Sequence, residues 1–227
     1  MTDRPIIMSA PMVRAILREI ERPGTGKTQT RRILKPQPTE DIGLWLAENR
    51  MPFAVGDRLW VREGLGRRTA SFLGIEATNG VEEAFYLADE AEVLEKVGFN
   101  VCPWWRSGKL PSIHSPRWAS RITLIVTDVR VQRLQDISRD DAIAEGVARV
   151  GGEMLRWENW SAGDGLNALS PTEAFRALWN SLHGPEAWSQ NPWVVAVTFN
   201  PILSNIDAIP ARESEDLSQE EKRHGLV

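Results

Sequence analysis

The sequence predicts an α+β fold built around a small mixed or barrel-like sheet. Three observations carry that expectation. At least five short segments read as strands, and three segments place apolar residues at helical spacing. Strands also follow one another in sequence without a helix between them, which argues against a repeating βαβ pattern. The length of 227 residues suits one domain with insertions or a small appendage. Hydrophobic residues at 42% and charged residues at 26% are ordinary globular values.

Taken in order, Pro5-Ile6-Ile7-Met8 reads as a first strand. Met12, Val13, Ile16, Leu17 and Ile20 form one helical stripe, with Ser9 at the N-cap and Pro11 in the first turn. Pro23-Gly24-Thr25-Gly26 stops that helix, and Lys27–Leu34 reads as a Thr-rich strand closed by Lys35-Pro36-Gln37-Pro38. Gly56-Asp57 turns into an alternating strand over 58–63. Residues 64–115 have weak periodicity and many Gly, Pro and Trp residues, so they are expected to be an insertion, with Ala84–Ala88 its best strand.

Arg121–Leu134 reads as one long strand with a bulge near Asp128. Ser138 then caps a short helix whose first turn holds Asp140 and Asp141, and Glu145-Gly146 ends it. A second loose insertion spans 148–170. Ser170-Pro171-Thr172-Glu173 is a capping box opening a helix with Ala174, Phe175, Leu178, Trp179 and Leu182 on its apolar face. The His183-Gly184-Pro185 turn marks that helix's end. Trp193–Phe199 is the last strand, and Pro201 is expected to close a single domain over 1–201. The remaining 202–227, with six acids against three bases, reads as a disordered acidic tail.

Charge and cysteine content narrow the function classes. The net charge is −4, so a general polyanion binder is not expected, although eight Lys/Arg against four acids in the first forty residues leave room for a local basic site. One cysteine cannot form an internal disulfide, no apolar run reaches the length of a membrane span, and the N-terminus lacks a signal-peptide pattern. A cytoplasmic protein is the expectation. His114, His183, His224 and Cys102 lack metal-ligand spacing, so neither a metal nor another cofactor is expected. Ten tryptophans against one tyrosine supply either core anchors or stacking faces for a planar ligand.

Gly24-Thr25-Gly26-Lys27-Thr28 imitates the end of a phosphate-binding loop, but Glu21 stands where the first glycine belongs. A helix precedes the motif and a strand follows it, the reverse of what phosphate capture needs. The same segment has a second reading. Lys27, Thr28, Thr30, Arg31 and Arg32 place an amine, two hydroxyls and two guanidiniums within six residues. A lysine with a lowered pKa can act as a base toward a threonine hydroxyl, and an acid from elsewhere would complete an amide-hydrolysing site. A solvated edge strand has the same composition. On an ideal strand residues 27 and 30 face opposite ways, so the site requires Lys27 to lie on the loop side of the turn.

The segments PMVRAIL, KTQTRR, KPQP, GDRLWVRE, PRWASRI and NPWVVAV, with Leu134–Gly146, resemble the ASCH domain family. The likeness covers 5–36, 56–63, 116–147 and 171–200, and is greatest to the long, Trp-rich ASCH proteins of bacterial viruses and prophages. It implies a PUA-like β-barrel and nucleotide or RNA recognition. The small bacterial members are amidohydrolases that release the acyl group of N4-acetylcytidine, using a Lys, a Thr and a Glu that match Lys27, Thr30 and Glu145. By that resemblance Arg31, Arg32, Arg62 and Glu63 are candidate substrate-binding residues, and Trp60 either stacks on the base or packs in the core. The expected partners are a modified nucleoside or nucleotide, or RNA. Two rivals stand beside the hydrolase: a non-catalytic RNA- or nucleotide-binding module, and a viral accessory protein that binds a host partner through 64–115.

Overall fold

The computed structural model describes residues 1–38, 42–48, 51–69, 71–72, 75–76, 82–93, 108–150, 156–157 and 170–210. Its centre is a mixed five-stranded sheet of β1 (Asp3–Ile7), β2 (Gln29–Ile33), β3 (Arg58–Arg62), β7 (Thr123–Arg133) and β8 (Trp193–Ile202), in the order β1-β3-β7-β8-β2. Only β1 and β3 run parallel, while β3–β7, β7–β8 and β8–β2 are antiparallel. The α+β expectation therefore holds. The two edge strands, β1 and β2, approach each other: Arg32 Nη2 on β2 donates to the Ile7 carbonyl of β1 at 2.7 Å.

Alternation along β8 explains the layers. Val195, Val197 and Phe199 face a cluster that includes Leu59, Val61, Leu124 and Val126. Helix α1 (Ala10–Glu21) presents Met12, Val13 and Ile16 to that same cluster. Ser9 occupies the N-cap position but its hydroxyl caps nothing, so the apolar stripe and Pro11 fix the helix start. Val194, one residue out of phase, joins a second cluster with Leu134, Ala142, Phe175, Leu178 and Trp179. Leu134 lies in the turn after β7, and the others come from α3 (Arg139–Ala144) and α4 (Pro171–His183), which pack on each other beside β2. Ser138 accepts from the Asp141 N–H, and both halves of the Ser170–Glu173 capping box form. Leu182, expected on the buried face of α4, is instead 47% exposed.

The register of β7 against β8 slips between Thr198 and Phe199, pairing Thr198 with Asp128 and Phe199 with Val126. The extra residue is Thr127, so the bulge lies next to Asp128, as its sequence suggests.

Three differences from the sequence reading have physical causes. A short helix α2 (Ile42–Glu48) follows β2 where no element is expected; its Trp45 packs against the main core while Leu44 and Leu46 stay exposed. The expected loose insertion contains a three-stranded sheet of β4 (Leu65–Thr69), β5 (Glu82–Tyr86) and β6 (Gly108–Leu110), with β4 in the middle. Leu65, Ala84, Tyr86, Val93, Leu110 and Ala119 give it its own apolar cluster, whose residues are too scattered in sequence to show a period. Finally, β8 runs through Pro201 to Ile202, and Ile206 in the following turn is fully buried. The described structure thus continues beyond residue 201 to residue 210. The rest of the tail, 211–227, and most of 148–170 lie outside the described residues.

Candidate functional site

The loop between α1 and β2 is shaped by a carboxylate. Glu19 accepts from the Gly24 N–H through Oε1 at 2.8 Å and from the Gly26 N–H through Oε2 at 2.7 Å. An internal anion thus occupies the position a phosphate would take, and β2, not a helix, follows. Gly26 must be glycine, because a Cβ there would sit 2.3 Å from the Ala15 carbonyl oxygen of α1. Lys27 N–H donates to that same Ala15 oxygen at 3.0 Å and Thr28 N–H to the Ala144 oxygen at 2.8 Å, so the segment is fastened between α1 and α3.

Because β2 begins only at Gln29, Lys27 lies on the loop side of the turn. Its side chain is fully buried, and all three ammonium protons are used: on Gln29 O at 2.6 Å, Glu145 O at 2.9 Å and Glu145 Oε2 at 2.7 Å. Burial pushes the Lys27 amine below its ordinary pKa. The charge and hydrogen bond of Glu145 oppose that shift, and Arg32 and Arg31 add to it.

Asp141 on α3 and Glu145 at its C-cap are four residues apart, hence on one side of the helix, and Arg31 reaches both. Arg31 Nη1 donates to Glu145 Oε1 at 3.0 Å and to Gln29 Oε1 at 2.6 Å. Its Nη2 lies 3.1 Å from Asp141 Oδ2, an ion-pair distance without hydrogen-bond alignment. The Phe175 ring of α4 sits 5.7 Å from the guanidinium carbon. Burial raises the Asp141 pKa, but hydrogen bonds from Arg130 and Gln29 and the charges of Arg31 and Arg130 outweigh it, leaving about 2. Glu145 N–H closes α3 on Asp141 O at 2.9 Å, and Gly146 at φ 95° turns the chain away, which fixes Glu145 facing β2.

Thr30 and Glu145 both border a small chamber of about 20 Å³, walled also by Met12, Arg31, Arg32 and the α4 residues Phe175, Leu178, Trp179, Leu182 and His183. That volume accommodates about one water molecule. Lys27 does not border the chamber, but its ammonium bonds Glu145, which does. A larger groove of about 510 Å³ lies on the other side of Arg32, between the two edge strands.

The expected site residues therefore divide. Lys27, Thr30, Arg31 and Glu145 come together, and Arg32 joins the chamber to the groove. Arg62 lines the groove but not the chamber, with its guanidinium 5.4 Å from the Trp60 ring and two donors on the carbonyls of Ser115 and Ile113. Trp60 lines neither cavity. Glu63, an expected substrate contact, is buried and takes both oxygens to Arg121 at 2.9 Å. Arg121 also bonds both oxygens of Asp89 and lies 3.8 Å over the Tyr86 ring. This cluster fastens the β4–β6 sheet to the main one and has no part in the chamber.

Sequence reasoning missed Gln29, Asp141 and Arg130 as members of the network. Asp141 had signalled only helix-dipole complementarity, and its four-residue spacing to Glu145 was the available clue. Among the described residues, no group of three or more His, Cys, Asp or Glu could hold a metal ion, and no helix is long and apolar enough to cross a membrane. Comparison with protein-family models, with curated proteins and with solved structures finds no match for the chain.

Proposed function

We propose that the protein is an ASCH-type amidohydrolase with a PUA-like barrel that removes an N4-acyl group from a modified cytidine. One observation carries the reading. Lys27 and Glu145, 118 residues apart, meet at 2.7 Å with both side chains buried, and Glu145 shares with Thr30 a chamber that fits one water. These are the three residues that the family resemblance picks out. A saturated structural ion-pair cluster would need neither the threonine nor the chamber.

The chemistry follows from the arrangement. A water held by Thr30, or the Thr30 hydroxyl itself, attacks the N4-acyl carbonyl. The proton it loses passes to the Lys27–Glu145 pair, whose amine burial holds below its ordinary pKa against the opposing charge of Glu145. Glu145, at the chamber wall, returns a proton to the exocyclic nitrogen as the C–N bond breaks, releasing cytidine. With water as nucleophile the other product is the free carboxylic acid; with Thr30, an ester forms that a second water hydrolyses. Arg31 holds the Glu145 carboxylate in place throughout.

Two near-isosteric variants test the assignment. Thr30→Val and Glu145→Gln are expected to reduce cytidine release from N4-acetylcytidine by about 10²-fold or more, the usual range for a positioned acid–base group. Circular dichroism and the thermal midpoint report whether each variant remains folded. Folded variants that retain full turnover would remove Thr30 and Glu145 from the mechanism.

A further inference from the structure

The proposed chemistry leaves a proton behind. Water brings two protons: one ends on the exocyclic nitrogen, and the other stays on the released carboxylic acid, which ionises well below neutral pH. The ester route has the same balance, because the second water restores the Thr30 hydroxyl with one proton and leaves its other on the acid. Each turnover therefore deposits a proton in the chamber, and that proton has to reach solvent.

Most of the chamber's residues cannot carry it out. Thr30 is 1% exposed, Glu145 2% and Arg31 3%. Glu145 is also held by Lys27 and Arg31. Arg31 and Arg32 stay protonated, and Met12, Phe175, Leu178, Trp179 and Leu182 offer no basic group. His183, the last residue of α4, lines the same chamber and is exposed to solvent. Among the chamber's residues it alone can gain and lose a proton near neutral pH while reaching both sides. Trp179, one turn earlier on α4, lies with its ring centroid 4.3 Å from that of the imidazole, which limits the rotamers open to His183. Burial, aided by the charges of Arg32 and Lys35, holds the imidazole below its ordinary pKa, so at pH 7 it is neutral and able to accept. Those two cations lie on β2 and just after it; Arg31 and Glu145 are the other charged groups on the chamber wall, and Met12 of α1 brings no charge. An imidazolium beside two cations gives its proton up readily to water.

We propose that His183 carries the proton left in the Thr30–Glu145 chamber out to solvent. An imidazole nitrogen takes the proton from the new carboxylic acid, leaving a carboxylate. The imidazolium then passes a proton to bulk water or a buffer base, and the ring ends neutral, as it began. The inference rests on the proposed function, but on a residue to which the family resemblance assigns no role.

Steady-state kinetics of the full chain and of His183→Gln on N4-acetylcytidine, at low buffer concentration, test the inference. Because proton exit follows C–N cleavage, kcat should fall by about 10²-fold, the low end for a positioned proton-transfer group, while kcat/KM stays nearly unchanged. Free imidazole added to the variant should restore kcat and leave the wild type unaffected. In the wild type kcat should rise with pH through a midpoint below 6.5, and His183→Gln should lack that rise. Circular dichroism reports whether the variant, altered at an exposed position, remains folded. A folded variant with wild-type kcat would overturn the inference and leave the proposed function standing. So would a parallel fall in kcat and kcat/KM that imidazole does not restore, since that marks a merely structural histidine. A wild-type chain that releases no cytidine would overturn the proposed function, and the proton exit with it.

Discussion

Replacing Lys27 by Met keeps the length of the side chain and removes its charge and three donors. In the native protein those donors serve Gln29 O, Glu145 O and Glu145 Oε2, all in a site from which Lys27 is fully excluded from water. Removing one partner of a buried pair costs about 3–5 kcal/mol, chiefly by stranding the other charge. Arg31 still reaches Glu145 Oε1 at 3.0 Å, so the loss should fall at the lower end, about 3 kcal/mol. Glu145→Gln strands Lys27 instead and should cost about the same. The Lys27→Met/Glu145→Gln double variant strands neither charge. Its loss should therefore be smaller than the sum of the singles by at least about 2 kcal/mol, the size expected for residues in one network. Urea denaturation of the four proteins gives the cycle from midpoints at constant slope. Because the pair is buried, the coupling should persist at about 1 M salt, where exposed pairs are screened. Additivity within about 0.5 kcal/mol would show that Lys27 and Glu145 do not depend on each other, and the reasoning would fail.

Three further outcomes follow from the same geometry. Asp141 has a pKa near 2 against 3.8 for an unperturbed aspartate, so its stabilisation is full above pH 3.8 and vanishes as pH falls through 2. That shift corresponds to about 2 kcal/mol, and the stability gap between wild type and Asp141→Asn should close over this window; a gap independent of pH would contradict the network. Gly26→Ala drives a Cβ into the α1 backbone and should cost about 1–3 kcal/mol, whereas Gly24→Ala, with φ at 82° and open space, meets only backbone strain, so the larger fall in Tm belongs to Gly26. If Lys27 takes the proton, kcat/KM should rise with pH through a midpoint below the 10.5 of a free lysine, and Lys27→Met should abolish that rise; a Lys27→Met profile of unchanged shape would assign the base elsewhere.

What the sequence made legible was mostly local. Ser138, the Ser170–Glu173 box and the Gly56 turn announce their elements because each satisfies its own backbone within a few residues. The long strand and its bulge followed from alternation. The three-stranded sheet of the insertion escaped notice because its apolar residues, from Leu65 to Ala119, are gathered by long-range pairing and show no local period. The site was half legible. The Lys27-Thr28-Gln29-Thr30 spacing pointed to a basic, nucleophile-bearing loop, but nothing local joins Lys27 to Glu145, and the family pattern alone suggested the pairing. Glu63 misled because a strand-end acid near a basic motif looks available; Arg121, 58 residues away, had already claimed it. The groove was invisible in sequence because β1, β2, α2, β3, β8 and the 52–53 segment all contribute to it.

The release of cytidine from N4-acetylcytidine by the wild-type chain, measured beside N4-acetylcytidine alone and beside Thr30→Val, tests the central claim most directly. The arrangement of Lys27, Glu145 and Thr30 predicts turnover in the wild type that falls to near background in the variant. No cytidine from the wild type, with the protein folded and the substrate also offered as its 5′-monophosphate, would contradict it.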